Sequence, residues 1–138
     1  MALARAAVPP PATTTWKLLS CVAALSSRLL SDRRHFHAHP ELRYEEVATA
    51  EYIAAAIEAL KDERLSIVRG VDGTTGLWAD LTLGDGTGPF VMLRADMDGL
   101  PIQEASGASY ASVNPGCMHA CGHVFPNRGT ASRFRREQ

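Results

Sequence analysis

Only three cysteines occur in 138 residues: Cys21, Cys117 and Cys121. An odd count leaves no closed disulfide framework, and two cysteines beside histidines favour a metal site or a free thiol in a reducing compartment. No apolar run reaches the roughly 20 residues that a membrane span needs. The best stretch, residues 18–30, is broken by Ser20, Ser26, Ser27 and Arg28. Excess charge of one sign is missing too. A net charge of −1 gives no electrostatic basis for a nucleic-acid or membrane partner. There are no internal repeats, and the first 31 residues contain no Asp or Glu.

What is present fits an ordinary globular domain, with 46% hydrophobic and 21% charged residues. The acid-free start carries Arg5, Lys17 and Arg28 among Ser and Thr, which has two readings. One is an organelle transit segment. The other is a flexible Pro-rich leader over residues 1–14, with a cytoplasmic protein behind it. From Trp16 to about His37, Leu18, Leu19, Val22, Leu25, Leu29 and Leu30 recur at helical spacing. Pro40 stops that helix, because the residue before a proline is pushed out of helical geometry. A second helix is predicted from Tyr44 to Lys61, with Ala50, Ile53, Ala54, Ile57 and Leu60 as its apolar stripe. Strands are then predicted over Leu65–Arg69, Leu77–Leu83 and Phe90–Ala95, the last as a buried strand, with turns at residues 72–76 and 84–89. Two helices followed by strands suit the opening of an α/β or α+β catalytic domain. Residues 124–138 show neither periodicity, hold four arginines, and read as an appended tail.

The chemistry concentrates in Gly116-Cys117-Met118-His119-Ala120-Cys121-Gly122-His123. Thiolate and imidazole both suit zinc and similar metals. On a straight strand, Cys117, His119, Cys121 and His123 would face one side but spread over roughly 20 Å, so one ion cannot gather all four. Cys121 and His123 as adjacent donors in a loop, completed by distant residues, give the better geometry; a surface loop that merely holds thiols and imidazoles is the plainer alternative. Asp96 and Asp98 follow a strand, where ligands of α/β sheets bind. Such carboxylates bind metal, orient a ligating imidazole, or cap a turn. His35, His37 and His39 sit at a helix end before Pro40, a setting that favours packing and helix-terminus interactions over metal.

Taken together, Arg33-Arg34-His35-Phe36-His37-Ala38-His39-Pro40-Glu41-Leu42, then Leu93-Arg94-Ala95-Asp96-Met97-Asp98-Gly99-Leu100-Pro101-Ile102, then Met118-His119-Ala120-Cys121-Gly122-His123 resemble the zinc-peptidase-like amidohydrolases. The nearest branch holds hippurate hydrolases, N-acyl-amino-acid amidohydrolases and indole-acetyl-amino-acid hydrolases, and the resemblance covers residues from about 16 to 123. It implies an α/β fold: the opening part of a zinc-exopeptidase-like catalytic domain, two helices and then a partial mixed sheet, without the second, dimerisation domain. It implies Cys121 and His123 as ligands of two divalent ions, zinc or manganese, with Asp98, and more weakly Asp96, beside them. It further implies hydrolysis of the amide bond of a small N-acyl amino acid by a metal-activated water, and a homodimeric parent enzyme.

The chain departs from that pattern after His123. Val124, Phe125 and Pro126 stand where the family has an aspartate and a further histidine, and the only later acid is Glu137, so the Glu-Glu pair that supplies the general base has no counterpart. The expectation is a truncated catalytic domain over residues 15–123 with an unrelated tail, weak or inactive as a hydrolase. The alternatives are a non-catalytic fragment that binds a partner, or a small metal-binding module.

Overall fold

The computed structural model describes residues 20–88, 90–121 and 132–134. The proposed leader, His123 and most of the proposed tail lie outside them. The chain divides into two compact units, the first ending at Asp32 and the second beginning at Arg33.

In the first unit, residues 20–24 are helical and Leu25 turns the chain into α1, Ser26–Ala38, which ends in the second unit. The Ser26 hydroxyl donates to the Ala23 carbonyl across that turn (2.8 Å). Arg28 and Asp32, four residues apart, pair at 3.4 Å. From residue 20 on, the expected helix is therefore present with one irregularity; its expected start at residues 16–19 lies outside the described residues. Its stripe is not covered, however: Val22, Leu25, Leu29 and Leu30 are all exposed. Among the described residues no helix is long and apolar enough to cross a membrane.

The second unit opens on the end of α1. His39 closes it twice, its backbone N–H reaching the carbonyls of His35 and Phe36 and its Nδ1 donating to His35 (2.9 Å). Pro40 follows, fully buried. The next helix, α2, runs Val47–Glu58, shorter at both ends than the apolar stripe suggested. Tyr44 has φ +68, which no helix accepts. Lys61 at φ +50 marks the far end, where Leu60 and Lys61 tighten to three-residue hydrogen bonds. The start of α2 is capped from outside. Glu46 occupies the cap position without a side-chain cap bond, and the Glu41 carboxylate instead accepts from the amides of Ala48 (3.0 Å) and Thr49 (2.7 Å). Those N–H groups have no partner within the helix, so a carboxylate there satisfies them and meets the positive end of the helix dipole.

α2 packs on the end of α1. Tyr52 lies against His35 (ring centroids 4.6 Å apart, stacked) and edge-on to Phe36 (5.0 Å), and Ala54 is completely buried. Leu60, predicted to continue the stripe, is exposed. Beyond α2, β1 (Leu65–Arg69) pairs antiparallel with β2 (Leu77–Leu81), Leu65 opposite Leu81 and Arg69 opposite Leu77. The reversal between them uses Gly70, Asp72 and Gly73, all with positive φ. Arg69 reaches back to Glu51 (2.8 Å) and Glu58 (2.6 Å) on α2. These pairs are open to solvent, so they orient the hairpin more than they stabilise it.

The third expected strand differs from its prediction. β3 covers only Phe90–Met92, and it is not buried: Phe90 is 55% and Leu93 is 73% exposed. A continuous apolar run reads as interior because buried parallel strands look that way, but no described helix packs over this one. Its pairing partner is β4, Ser132–Phe134, Phe90 opposite Phe134, inside the segment read as a tail. That segment has no alternation of its own to announce a strand; its partner is an open strand edge, which offers unpaired backbone groups to whatever chain is near. The fold is thus α/β, helices first and strands after, with antiparallel ladders and one parallel bridge, Leu42 to Gly99.

Candidate metal site

The second unit brings together three segments that lie far apart in sequence. The Gly99 amide donates to the Glu41 carbonyl (2.7 Å), forming the parallel bridge between Leu42 and Gly99. One residue on, Leu100 and Met118 exchange both backbone hydrogen bonds (2.8 and 3.0 Å). The helix-end motif, the acidic turn and the cysteine-histidine loop therefore form one short three-stranded weave. Asp98 sits at its near edge, and Cys121 follows Met118 by three residues.

This weave requires a glycine at position 99. A Cβ there would lie 2.8 Å from Cys117 Sγ, 3.0 Å from Pro40 Cβ and 3.2 Å from the Glu41 carbonyl oxygen. A side chain would push the segments apart.

The candidate residues differ in setting. Cys117 is 7% exposed, and burial, with the negative charges of Glu41 and Glu45 nearby, raises its thiol above the usual range. It is a packed core thiol and a poor source of thiolate. Cys121 is a free, half-buried thiol. Asp96 is ion-paired with Arg94, and Asp98 is half-buried. Both line a cavity of about 250 Å³ together with Arg43, Tyr44 and Arg94. His119 is 8% exposed, and neither ring nitrogen has a hydrogen-bond partner in the described structure. The Asp98 backbone lies close enough to favour the charged ring, but no contact there has hydrogen-bond geometry; burial dominates and holds His119 below its ordinary range.

The upstream histidines are committed elsewhere. His35 stacks on Tyr52, His39 ties its own helix end, and His37 donates through Nε2 to Glu104 (3.0 Å). Among the described residues no group of three or more His, Cys, Asp or Glu side chains converges as a metal site would need. The sulfur donor Cys121 suits zinc better than manganese, and one donor alone holds neither. Its expected neighbour His123 lies outside the described residues. A thiol at Cys121 with an imidazole at His123 is a donor chemistry that fits a divalent ion.

Two residues that pattern reading passed over matter here. Gly99 gave only the signal of a glycine after an acidic pair. Glu104 gave none, since nothing in the spacing of Gln103-Glu104-Ala105-Ser106 distinguishes it from a solvated loop.

The model of the peptidase family M20/M25/M40 matches residues 92–132, which include the acidic turn and the whole cysteine-histidine loop. An N-acetyl-L-cysteine deacetylase of Bacillus subtilis is 43% identical over 75% of this chain and 24% of its own length. An N-acyl-L-amino acid amidohydrolase of Geobacillus stearothermophilus is 41% identical over 74% of this chain and 26% of its own. Among solved structures, a Bacillus subtilis protein described as a dinuclear metal-binding peptidase from the M20 family superposes with a TM-score of 0.65 at 39% identity, covering 74% of this chain and 28% of that one. Over the part that it spans, the chain is similar to members of the M20 peptidase family. It spans about a quarter of the length of these curated relatives.

Proposed function

We propose that this chain forms the metal-binding opening of an enzyme that hydrolyses the amide bond of N-acyl amino acids, releasing a carboxylic acid and the free amino acid. The observation that carries this reading is the weave through Leu42, Gly99, Leu100 and Met118, which sets the acidic turn against the loop bearing Cys121. The named relatives, a deacetylase of N-acetylcysteine and an amidohydrolase of N-acyl amino acids, supply the substrate class.

Cys121 and His123 would be among the ligands of two divalent ions, zinc or manganese, which would take their other donors from residues elsewhere. A bound divalent ion polarises an amide carbonyl and lowers the pKa of its water toward neutrality. The chain's own residues prepare that place. Asp98, at the edge of the weave, would accept from a ligating imidazole and fix its tautomer. Asp96, tied to Arg94, holds the turn on which Asp98 stands. The buried Cys117 keeps its proton and packs under Gly99, leaving Cys121 as the thiolate donor. The free thiols favour a reducing compartment, and we place the protein in the cytoplasm; fractionation of cells expressing it checks that placement.

Titration of the full chain with Co(II) tests the metal reading. The wild-type protein should develop a thiolate-to-cobalt charge-transfer band that Cys121→Ser abolishes and Cys117→Ser leaves in place. A wild-type protein with no such band, or a band that survives Cys121→Ser, refutes it.

A further inference from the structure

Residues 103–117 contain no helix and no strand, yet they deliver the loop that carries Cys121. A stretch of that length without regular structure must be held by side chains. Its anchor is the Glu104 carboxylate, 3% exposed. Oε1 accepts from His37 Nε2 (3.0 Å) and from the Ser106 hydroxyl, and Oε2 accepts from the Ser112 amide (2.6 Å). One carboxylate thus joins the end of α1, the start of the loop and a point eight residues further on. The next residues are tied to the same helix end: the Val113 amide donates to Ala38 (2.8 Å), and Asn114 Nδ2 donates to the Pro40 carbonyl (2.7 Å). Gly116 then donates to Gln103 Oε1 (2.9 Å), which closes the loop, and Met118 enters the weave.

We infer that Glu104 is a positioning residue for the metal-binding loop, clamping residues 104–114 to the end of α1 so that the loop leading to Cys121 meets the acidic turn at the Leu100–Met118 bridge. Removing it frees the loop at its anchor while the hairpin of β1 and β2, which shares none of these bonds, stays as it was. The hydrogen bonds from Ser106, the Ser112 amide and His37, in that order of weight, hold Glu104 down to about 2, so the clamp is anionic at any pH near neutrality. Tyr110 packs edge-on against His37 (5.5 Å between ring centroids), with the Arg34 guanidinium 5.1 Å from the Tyr110 ring, which keeps the imidazole turned toward the carboxylate.

The test uses the full chain and its Glu104→Gln variant, in which the amide keeps the shape but one of the three donors meets an NH₂ group. Amide hydrogen exchange read by mass spectrometry should accelerate at least tenfold in peptides covering residues 112–121 and stay unchanged in residues 65–81. Equal acceleration in both regions, or none in residues 112–121, overturns the inference. The second arm rests on the metal reading above: Co(II) affinity should fall about 10- to 100-fold in Glu104→Gln, the usual size for a lost outer partner of a metal site. An unchanged affinity beside a normal wild-type cobalt band overturns the inference, whereas a wild-type protein without the band defeats the metal reading and leaves the exchange arm to decide the clamp. Should Glu104→Gln fail to fold, Ser106→Ala, which removes a single hydroxyl donor, carries both arms with a smaller change.

Discussion

Gly99→Ala is the sharpest perturbation this structure offers. One added methyl group would meet three atoms of two other segments at 2.8, 3.0 and 3.2 Å, against the roughly 3.5–4.0 Å at which carbon contacts are comfortable. Two of those atoms cannot step aside cheaply. Pro40 is fully buried, and the Glu41 carbonyl is the acceptor of the Gly99 amide at 2.7 Å, so moving it breaks the parallel bridge. Overpacking of this kind costs about 1–3 kcal/mol. At roughly 4–8 °C per kcal/mol for a domain of this size, the melting temperature should fall by about 5–20 °C. Gly88→Ala is the control: its added Cβ meets nothing within 4 Å, and its φ is not left-handed, so it should leave stability unchanged or raise it slightly. Cys117→Ala removes the nearest of the three atoms, and a thermodynamic cycle with Gly99→Ala should give a coupling of about 0.5–3 kcal/mol. Thermal and denaturant unfolding followed by far-UV circular dichroism reads all five proteins, the wild type and the double variant included. A Gly99→Ala protein that melts with the wild type, or a cycle with zero coupling, refutes the weave as described.

Glu41→Ala should cost about 1 kcal/mol, the ordinary value of a helix cap, and the loss should show as a lower denaturant midpoint with fraying of α2 in hydrogen exchange. Iodoacetamide at pH 8 should label Cys21 and Cys121 well before Cys117, which is buried and whose thiol is raised by that burial; mass spectrometry of tryptic peptides gives the order, and early labelling of Cys117 would contradict its packing. The hydrogen bonds from Ser106, the Ser112 amide and His37 hold the Glu104 carboxyl of the folded chain down to about 2, below its ordinary value of about 4.5, so its stabilising contribution is present above about 4.5 and is lost as pH falls toward 2. Melting temperatures measured between pH 5 and 2 should therefore fall less steeply in Glu104→Gln than in the wild type.

Much of the architecture was legible because it rests on local signals. Pro40 ended α1, and Leu65–Arg69 was read to the residue because a β-branched pair lies between a charged turn and a glycine. Helix ends were read less well, since Tyr44 and Lys61 take left-handed backbone conformations that their residue types do not advertise. The error at β3 has a different origin: an apolar run shows that a strand could be buried, but only a packed neighbour buries it. For the site, the sequence offered the donors but not their assembly. Cys117 and Cys121 look equivalent in a row of alternating donors, and the difference between a packed thiol and an available one appears only when Gly99 and Pro40 close over the first. Glu104 was invisible because its partners, His37 and Ser112, lie 67 residues upstream and eight downstream.

The weave has a consequence for anyone who would move this site to another protein. Residues 96–121 do not carry their own scaffold: the Gly99 amide is satisfied by Glu41, and Asn114 by Pro40. Transplanted alone, the donor loop would arrive with its backbone partners left behind and its shape undefined. The smallest portable unit starts at the last turn of α1, so the histidine-rich helix end belongs to the scaffold as much as the loop that carries Cys121.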